Sequence, residues 1–268
     1  MAAFICATCG TQFAPAEAPP PSCPICQDER QYVAPGGQRW TTREAMRESH
    51  FNTWREHEPN LLGIGTAPGF AIAQRALLLR QPGGNILWDC ISLLDDATIT
   101  LVKSLGGISN IAISHPHYYS AMVDWAQAFG AEIWLHEADR AHVMRPDPAI
   151  RHWSGATHRL ADGLTLINVP GHFDGATMLH WAGGAEGRGA LLSGDIFQVL
   201  PDRRHVSFMR SYPNLIPLPA RTIRAMATTM EPYRYDRIYG AWWDRIMPSD
   251  AKANVARSVE RYLDWIRE

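Results

Sequence analysis

The sequence contains no feature that ties the protein to a membrane or to nucleic acid. None of its apolar runs approaches the roughly 20 residues that a membrane-spanning helix requires. A net charge of −2 at pH 7 does not favour binding to nucleic acid or to an anionic membrane. The N-terminus lacks the basic and apolar stretches of a secretory signal. We therefore expect a cytoplasmic protein that acts on a small molecule, with no nucleic-acid or membrane partner.

Cysteine is nearly absent from the chain after residue 26, because Cys90 is the only cysteine in the rest of the sequence. Because Cys90 lies on an apolar strand, we expect a buried, unreactive thiol. The other four form two Cys-x-x-Cys pairs, Cys6 with Cys9 and Cys23 with Cys26. In a reducing compartment such pairs are metal ligands more often than disulfides, and no thioredoxin-like context surrounds them. The spacing predicts a structural zinc site, and iron in a rubredoxin-like knuckle is a further possibility that spacing alone does not exclude.

Residues 1–30 have too few apolar side chains to build a core of their own. We predict that they form a zinc-ribbon-like Cys₄ segment, which caps the chain, docks on the main domain or recruits a protein partner. Residues 31–38 are predicted to be a linker. Residues 39–268 contain short apolar stretches bounded by Gly and Pro, with helical patterns over 96–106, 119–130 and 250–268, and therefore predict an α/β domain.

The strongest chemical signal consists of histidines that follow predicted strands. His115 and His117 form a His-x-His pair, whose members point the same way at a strand end. His172 lies in a Pro-Gly-His turn after another strand, and Asp195 ends a third strand in Ser-Gly-Asp. Each motif alone is weak, but all three occur in order at strand ends. Together they predict a metal site with three imidazoles, closed by Asp195 or left open if Asp195 stands off.

These motifs, together with Asp89 in ILWDC, resemble those of the metallo-β-lactamase superfamily over about residues 60–243. The resemblance implies an α/β fold class, an αβ/βα metallo-β-lactamase sandwich to which the zinc-ribbon-like segment is joined. It also implies that His115, His117 and His172 bind the metal, that Asp195 occupies the place of the family's bridging aspartate, and that Asp89 supports the ligands without being one.

The sequence departs from the family pattern at the second metal position. The family motif His-x-His-x-Asp-His has Tyr119 and Ser120 in its last two places here, and Trp242 takes the place of a late histidine. These three side chains cannot form a divalent-ion cage, so the resemblance implies one ion at the catalytic site. Tyr119 either donates a hydrogen bond to a developing oxyanion or fills the vacated space.

The expected function is that of a mononuclear metal-dependent hydrolase, which uses metal-bound hydroxide on an ester, thioester, lactone or amide. Asp195 then acts as a fourth ligand or as the base that accepts a proton. The first alternative is a non-haem Fe(II) oxidoreductase of the persulfide-dioxygenase type, and the second is a non-catalytic metal-binding scaffold. The expected cofactors are one catalytic and one structural Zn²⁺, with Fe²⁺ as an alternative at either site.

Overall fold

The computed structural model describes residues 1–266, so the last two residues of the predicted helix 250–268 and of the predicted domain 39–268 lie outside it. The described chain contains these strands: β1 Ile5–Cys6, β2 Trp40–Thr41, β3 Phe51–Glu58, β4 Leu61–Ala67, β5 Arg75–Leu79, β6 Ile86–Trp88, β7 Asn110–Ala112, β8 Glu132–His136, β9 Ile150–Trp153, β10 Thr157–Ala161, β11 Leu164–Asn168, β12 Thr177–Trp181, β13 Ala190–Gly194, β14 Gln198–Val199, β15 Val206–Ser207, β16 Met209–Ser211, β17 Ile216–Pro217, β18 Arg237–Gly240 and β19 Ile246–Met247. Its α-helices are α1 Pro24–Gln27, α2 Arg43–Arg47, α3 Asp96–Ser104, α4 Met122–Phe129, α5 Gly184–Gly187, α6 Ala220–Met230 and α7 Ala251–Trp265.

The chain divides into two compact units. The first comprises Met1–Leu135 and Asp139–His152, and the second comprises His136–Ala138 and the chain from Trp153 onwards. No helix in the described part of the chain is long and apolar enough to cross a membrane.

The first unit is built on the sheet β3-β4-β5-β6-β7-β8-β9. Strands β3 to β6 are antiparallel, whereas β6, β7 and β8 run parallel to one another. Parallel neighbours need crossover connections, which α3 and α4 provide. The carboxyl ends of β6 and β7 consequently lie side by side, and they carry Asp89 and the residues from Ser114 to His117.

Helices α3 and α4 confirm two of the predicted helices, with shorter bounds. Asp95 caps α3 by accepting a hydrogen bond from the Thr98 N–H at 2.7 Å. Helix α4 ends at Gly130, which has the left-handed conformation typical of helix ends. Its first residue is Met122 and not residue 119, because a 3₁₀ turn over Pro116–Tyr118 and a left-handed Ser120 (φ 42°) precede it.

The cysteine segment, residues 1–30, belongs to the first unit. Strand β1 pairs with β2, and the four cysteines form a small core with Phe13 and Ile25. Trp40 and Met144 cover this core, and the rings of Phe13 and Trp40 meet edge to face at 5.0 Å. The segment therefore packs against the rest of the first unit, which agrees with docking on the main domain, one of its predicted roles. The predicted boundaries at residues 30 and 38 stay predictions.

The second unit is built on the sheet β10-β11-β12-β13-β18-β19. Strands β10 to β13 are antiparallel, and β13 pairs in parallel with β18. Helix α6, which the sequence analysis missed, buries Ile223, Met226 and Met230 at helical spacing. These side chains join the apolar residues of the sheet and of α7 in one continuous core.

The sequence analysis also missed the hairpin of β3 and β4 in the first unit.

We expect the Trp125→Ala substitution to lower the free energy of unfolding by about 3–5 kcal/mol. Trp125 is fully buried in α4, and its indole N–H donates to the carbonyl oxygen of Ile91 at 3.1 Å. The matched control is Trp265→Ala, because Trp265 is 85% exposed and its loss should change stability by less than about 0.5 kcal/mol. Urea unfolding followed by far-UV circular dichroism measures both values. Equal effects of the two substitutions would contradict the prediction.

Candidate metal centres

Two groups of side chains among the described residues have the composition and spacing of a metal site. In each group, one potential ligand atom per residue lies within 4.8 Å of the others, and every member is buried. The first group is Cys6, Cys9, Cys23 and Cys26, and the second is His115, His117 and His172. That these seven residues bind metal stays a prediction.

The four cysteines fit a tetrahedral thiolate site. The Sγ atoms of Cys6 and Cys26 are 3.5 Å apart, and those of Cys9 and Cys23 are 3.6 Å apart. All four are free cysteines, as a metal site requires. Four sulfurs that each lie about 2.3 Å from a central ion are separated by about 3.8 Å in a tetrahedron. The donor set therefore fits a single thiophilic ion.

The cysteines influence the ionisation of one another. Hydrogen bonds with the Cys23 and Cys26 thiols lower the pKa of Cys6 far below its ordinary value. Hydrogen bonding with Cys23 raises the pKa of Cys9. The side-chain amide of Gln38 donates to the Cys6 sulfur at 3.0 Å, which favours a thiolate there. A metal ion bound by the four sulfurs would stabilise all of them as thiolates.

Hydrogen bonds behind His115 orient its ring. Ser114 Oγ lies 3.0 Å from His115 Nδ1, and the Ser114 N–H donates to Asp89 Oδ1 at 2.8 Å. Asp89 thus holds the backbone of the residue that contacts the imidazole. The ring of Tyr118 lies against that of His115, with centroids 4.4 Å apart. Because Ser114 contacts Nδ1, Nε2 is the nitrogen suited to coordinate a metal.

The turn that carries His172 is closed within the second unit. The side-chain amide of Asn168, at the end of β11, donates to the carbonyl oxygens of Asp174 and Ala176 at 3.1 Å. His172 Nδ1 lies 3.1 Å from the Met209 carbonyl oxygen, which only a protonated Nδ1 can satisfy. That contact likewise assigns Nε2 of His172 to a metal.

Asp195 follows β13 and is 5% exposed. Gly194 precedes it with φ 55°, a conformation that favours glycine. The Tyr212 hydroxyl donates to the main-chain carbonyl oxygen of Asp195 at 2.9 Å. Burial, and then the charge of Asp195, raise the pKa of Tyr212 well above its ordinary value. Asp195 does not belong to the three-histidine group, and its role as ligand or base stays a prediction.

Tyr119 and Ser120, which the sequence analysis compared with ligands of a second metal, are both buried. Ser120 Oγ accepts a hydrogen bond at 2.9 Å from the side chain of Gln74, which also donates to the Cys90 carbonyl oxygen. Tyr119 is buried, and burial raises its pKa well above the ordinary value, so its hydroxyl stays protonated and can donate. Cys90 is buried, as predicted, and burial raises the pKa of its thiol; that it is unreactive stays a prediction. The half-buried Trp242 follows β18.

Sequence reasoning missed Ser114, Met209 and Tyr212 as partners of the candidate site. For Ser114 a signal was available, since a serine directly before the His-x-His pair can reach the ring of the first histidine. Met209 and Tyr212 lie in a stretch of short strands with no clear periodicity. Their contacts come from the tertiary fold, and no local pattern announces them.

Comparison with solved structures identifies the fold. A metallo-β-lactamase from Cronobacter sakazakii, a mutant in its HARLDQ motif, is 20% identical over 80% of this chain and 94% of its own, with a TM-score of 0.51. VMB-1 is 10% identical over 81% of this chain and 98% of its own, with a TM-score of 0.60. The predicted metallo-β-lactamase fold is thereby confirmed.

Sequence comparison gives a nearer relative. No protein-family profile matches the chain. YmaE of Bacillus subtilis strain 168, described as an uncharacterized protein, is 49% identical over 262 residues, which cover 97% of this chain and 95% of the relative. The chain therefore has the metallo-β-lactamase fold and belongs to the same family as YmaE.

Proposed function

We propose that the protein is a mononuclear metal-dependent hydrolase that acts on an ester, thioester, lactone or amide. The observation that carries this proposal is the group of buried histidines, His115, His117 and His172, whose potential ligand atoms lie within 4.8 Å of one another. The structural neighbours, named as metallo-β-lactamases, support the same class of reaction.

The donor set suits zinc. Three neutral imidazoles that leave a coordination position open are a common ligand set for catalytic Zn²⁺. The Met209 carbonyl oxygen can only accept from Nδ1–H of His172 and so favours the tautomer in which Nε2 coordinates. The Ser114 hydroxyl can accept from Nδ1–H of His115 in the same tautomer. When bound, the ion would act as a Lewis acid and lower the pKa of a bound water toward about 7.

The remaining chemistry falls to nearby residues of the chain. Asp195 is proposed either to accept the proton released from water or to complete the ligand set. Tyr119, kept protonated by burial, is proposed to donate a hydrogen bond to the developing oxyanion. One ion is favoured over two because Tyr119 and Ser120 replace ligands at the second position, and Ser120 already accepts from Gln74. The cysteine group is proposed to hold a structural zinc, with iron as the alternative.

We expect protein purified without added metal to contain about two zinc ions per chain by element analysis. The His115→Ala variant should keep its fold and lose one ion, and Cys9→Ser should lose the other. His205→Ala is the control, because His205 pairs with Asp202 outside both groups and its loss should remove no metal.

The identity of the metal separates the proposed functions. One zinc together with one iron would favour the Fe(II) oxidoreductase of the persulfide-dioxygenase type over the hydrolase. Metal at the cysteines alone would contradict both enzymes and favour a non-catalytic scaffold.

Hydrolysis of a panel of chromogenic esters, thioesters, lactones and amides tests the reaction. His117→Ala should lower kcat/KM at least about 10³-fold on any substrate that the wild type turns over. Asp195→Asn should lower kcat by about 10²–10⁴-fold with metal retained if Asp195 is the base, or lower the metal content if it is a ligand. Asp202→Asn is the matched control. Wild-type turnover by His117→Ala would refute the proposal.

The Ser114→Ala variant should bind zinc at the histidines about 10–100-fold more weakly, because His115 loses the contact that orients its ring. Competition with a chromophoric chelator measures this affinity. Ser104→Ala is the control, since Ser104 is exposed at the end of α3, where its hydroxyl donates to the Leu101 carbonyl oxygen. An unchanged affinity in Ser114→Ala would disprove the orienting role.

A further inference from the structure

The cysteine segment contacts the loop that carries His115 and His117. The main-chain N–H of Gln12 donates to the carbonyl oxygen of Ser120, three residues after His117, at 3.0 Å. Nearby, Ser92 Oγ donates to the Gly10 carbonyl oxygen at 2.8 Å. A Cβ on Gly10 would lie 2.7 Å from Ser92 Oγ, so only glycine permits this approach. Two independent hydrogen bonds therefore join the segment to the body of the first unit.

The side chain of Gln12 is held in the same region. Gln12 Nε2 donates to Asp124 Oδ2 at 2.9 Å, in the first turn of α4, and Gln12 Oε1 accepts from Arg145. Arg145 also pairs with Asp124 Oδ1 at 2.6 Å, and both side chains are nearly nine-tenths buried. Charge-assisted bonds in so buried a place are stronger than those at a surface. Gln12 thus contacts both Ser120 and the helix that follows it.

Gln12 is in turn held by the cysteines. The Cys6 N–H donates to the Thr11 carbonyl oxygen at 3.0 Å, and Ile5 forms a bridge with Gln12. The Gly10 N–H donates to the Cys6 carbonyl oxygen at 2.9 Å. Residues 10–12 consequently take their position from the turn that brings Cys6 and Cys9 together. A metal ion that closes the four cysteines would fix this turn.

Ser120 needs such support. Its φ of 42° is a left-handed conformation, which is unfavourable for a non-glycine residue and persists only where neighbours enforce it. Gln12 bonds its carbonyl oxygen and Gln74 bonds its hydroxyl. Release of residue 12 would remove one of the two hydrogen bonds that hold Ser120, which directly follows the 3₁₀ turn and Tyr119.

We propose that Gln12 is a positioning residue for the histidine loop and couples the two metal centres, so that metal at the cysteines strengthens metal binding at the histidines. This inference rests on the proposed metal centre and does not depend on hydrolysis. Because binding coupling is reciprocal, metal at the histidines must strengthen metal binding at the cysteines by the same factor.

Cobalt binding tests the coupling. Co²⁺ in the thiolate site gives a strong near-ultraviolet charge-transfer band, whereas Co²⁺ on imidazoles gives visible bands, so competition with a chelator yields a separate Kd for each site. Gln12→Ala keeps the main-chain N–H that bonds Ser120 but removes the side-chain bonds to Asp124 and Arg145 that hold residue 12 against α4. We therefore expect it to raise the Kd of the histidine site by about 5–150-fold, the usual range of coupling between sites. The control is Gln127→Ala, because Gln127 lies on the same helix α4 and donates to an exposed carboxylate of Asp147.

A double-mutant cycle separates coupling from a general structural effect. Cys9→Ser, which removes the cysteine site, should raise the Kd of the histidine site by a similar factor, and Gln12→Ala should add little in that background. The reciprocal measurement is a weaker thiolate site in His115→Ala. If Gln12→Ala fails to fold, Ser92→Ala cuts a different hydrogen bond of the segment and replaces it.

The outcomes are distinct. Unchanged Kd values, or effects of Gln12→Ala and Cys9→Ser that add independently, would overturn the coupling and leave the hydrolase proposal intact. Tight, coupled Co²⁺ binding without turnover of any substrate would overturn the hydrolase and leave the coupling intact. If the wild type does not bind Co²⁺ at the histidines, the coupling and the hydrolase proposal are both overturned before any variant is compared.

Discussion

Each imidazole of the candidate centre projects from an irregular loop, and irregular backbone does not hold a side chain to a fraction of an ångström by itself. The fold meets this constraint with hydrogen bonds placed behind the rings. Ser114 contacts His115, with Asp89 behind Ser114, and the Met209 carbonyl oxygen contacts His172. Because metal affinity depends on ligand nitrogens that are already directed at one point, these outer contacts decide whether the histidines form a site.

Neutral hydrogen bonds hold the backbone around Ser120. Its hydroxyl accepts a hydrogen bond from Gln74, and its carbonyl oxygen accepts another from the cysteine segment. Tyr119 is buried beside it. These contacts maintain the left-handed φ of Ser120, a conformation that a non-glycine residue keeps only where its neighbours enforce it.

Much of this arrangement could be predicted from the sequence. His115, His117 and His172 were recognisable because each follows a strand, and strand ends bring distant residues together. The four cysteines were recognisable from spacing. The sequence analysis missed helix α6. Pro219 and the helical spacing of the apolar residues from Ile223 onwards do indicate it, but the preceding stretch has no clear hydrophobic period.

The docking of the cysteine segment could not have been predicted in this way. Gln12 and Ser120 carry no local motif, and their hydrogen bond depends on the whole first unit. The β3–β4 hairpin was missed for a related reason. Strand β3 has no fully buried residue, so its polar and apolar side chains do not alternate.

The order of residues along the chain has a consequence for biosynthesis. All four cysteines have left the ribosome soon after residue 26, whereas Arg145, which contacts Gln12, emerges over a hundred residues later. At ordinary translation rates this interval is on the order of ten seconds. During it the cysteine segment, with Phe13, Ile25 and Trp40 as apolar cover, could take up an ion before Arg145 and the end of α4 are available. The histidine loop would then fold against a segment that is already ordered.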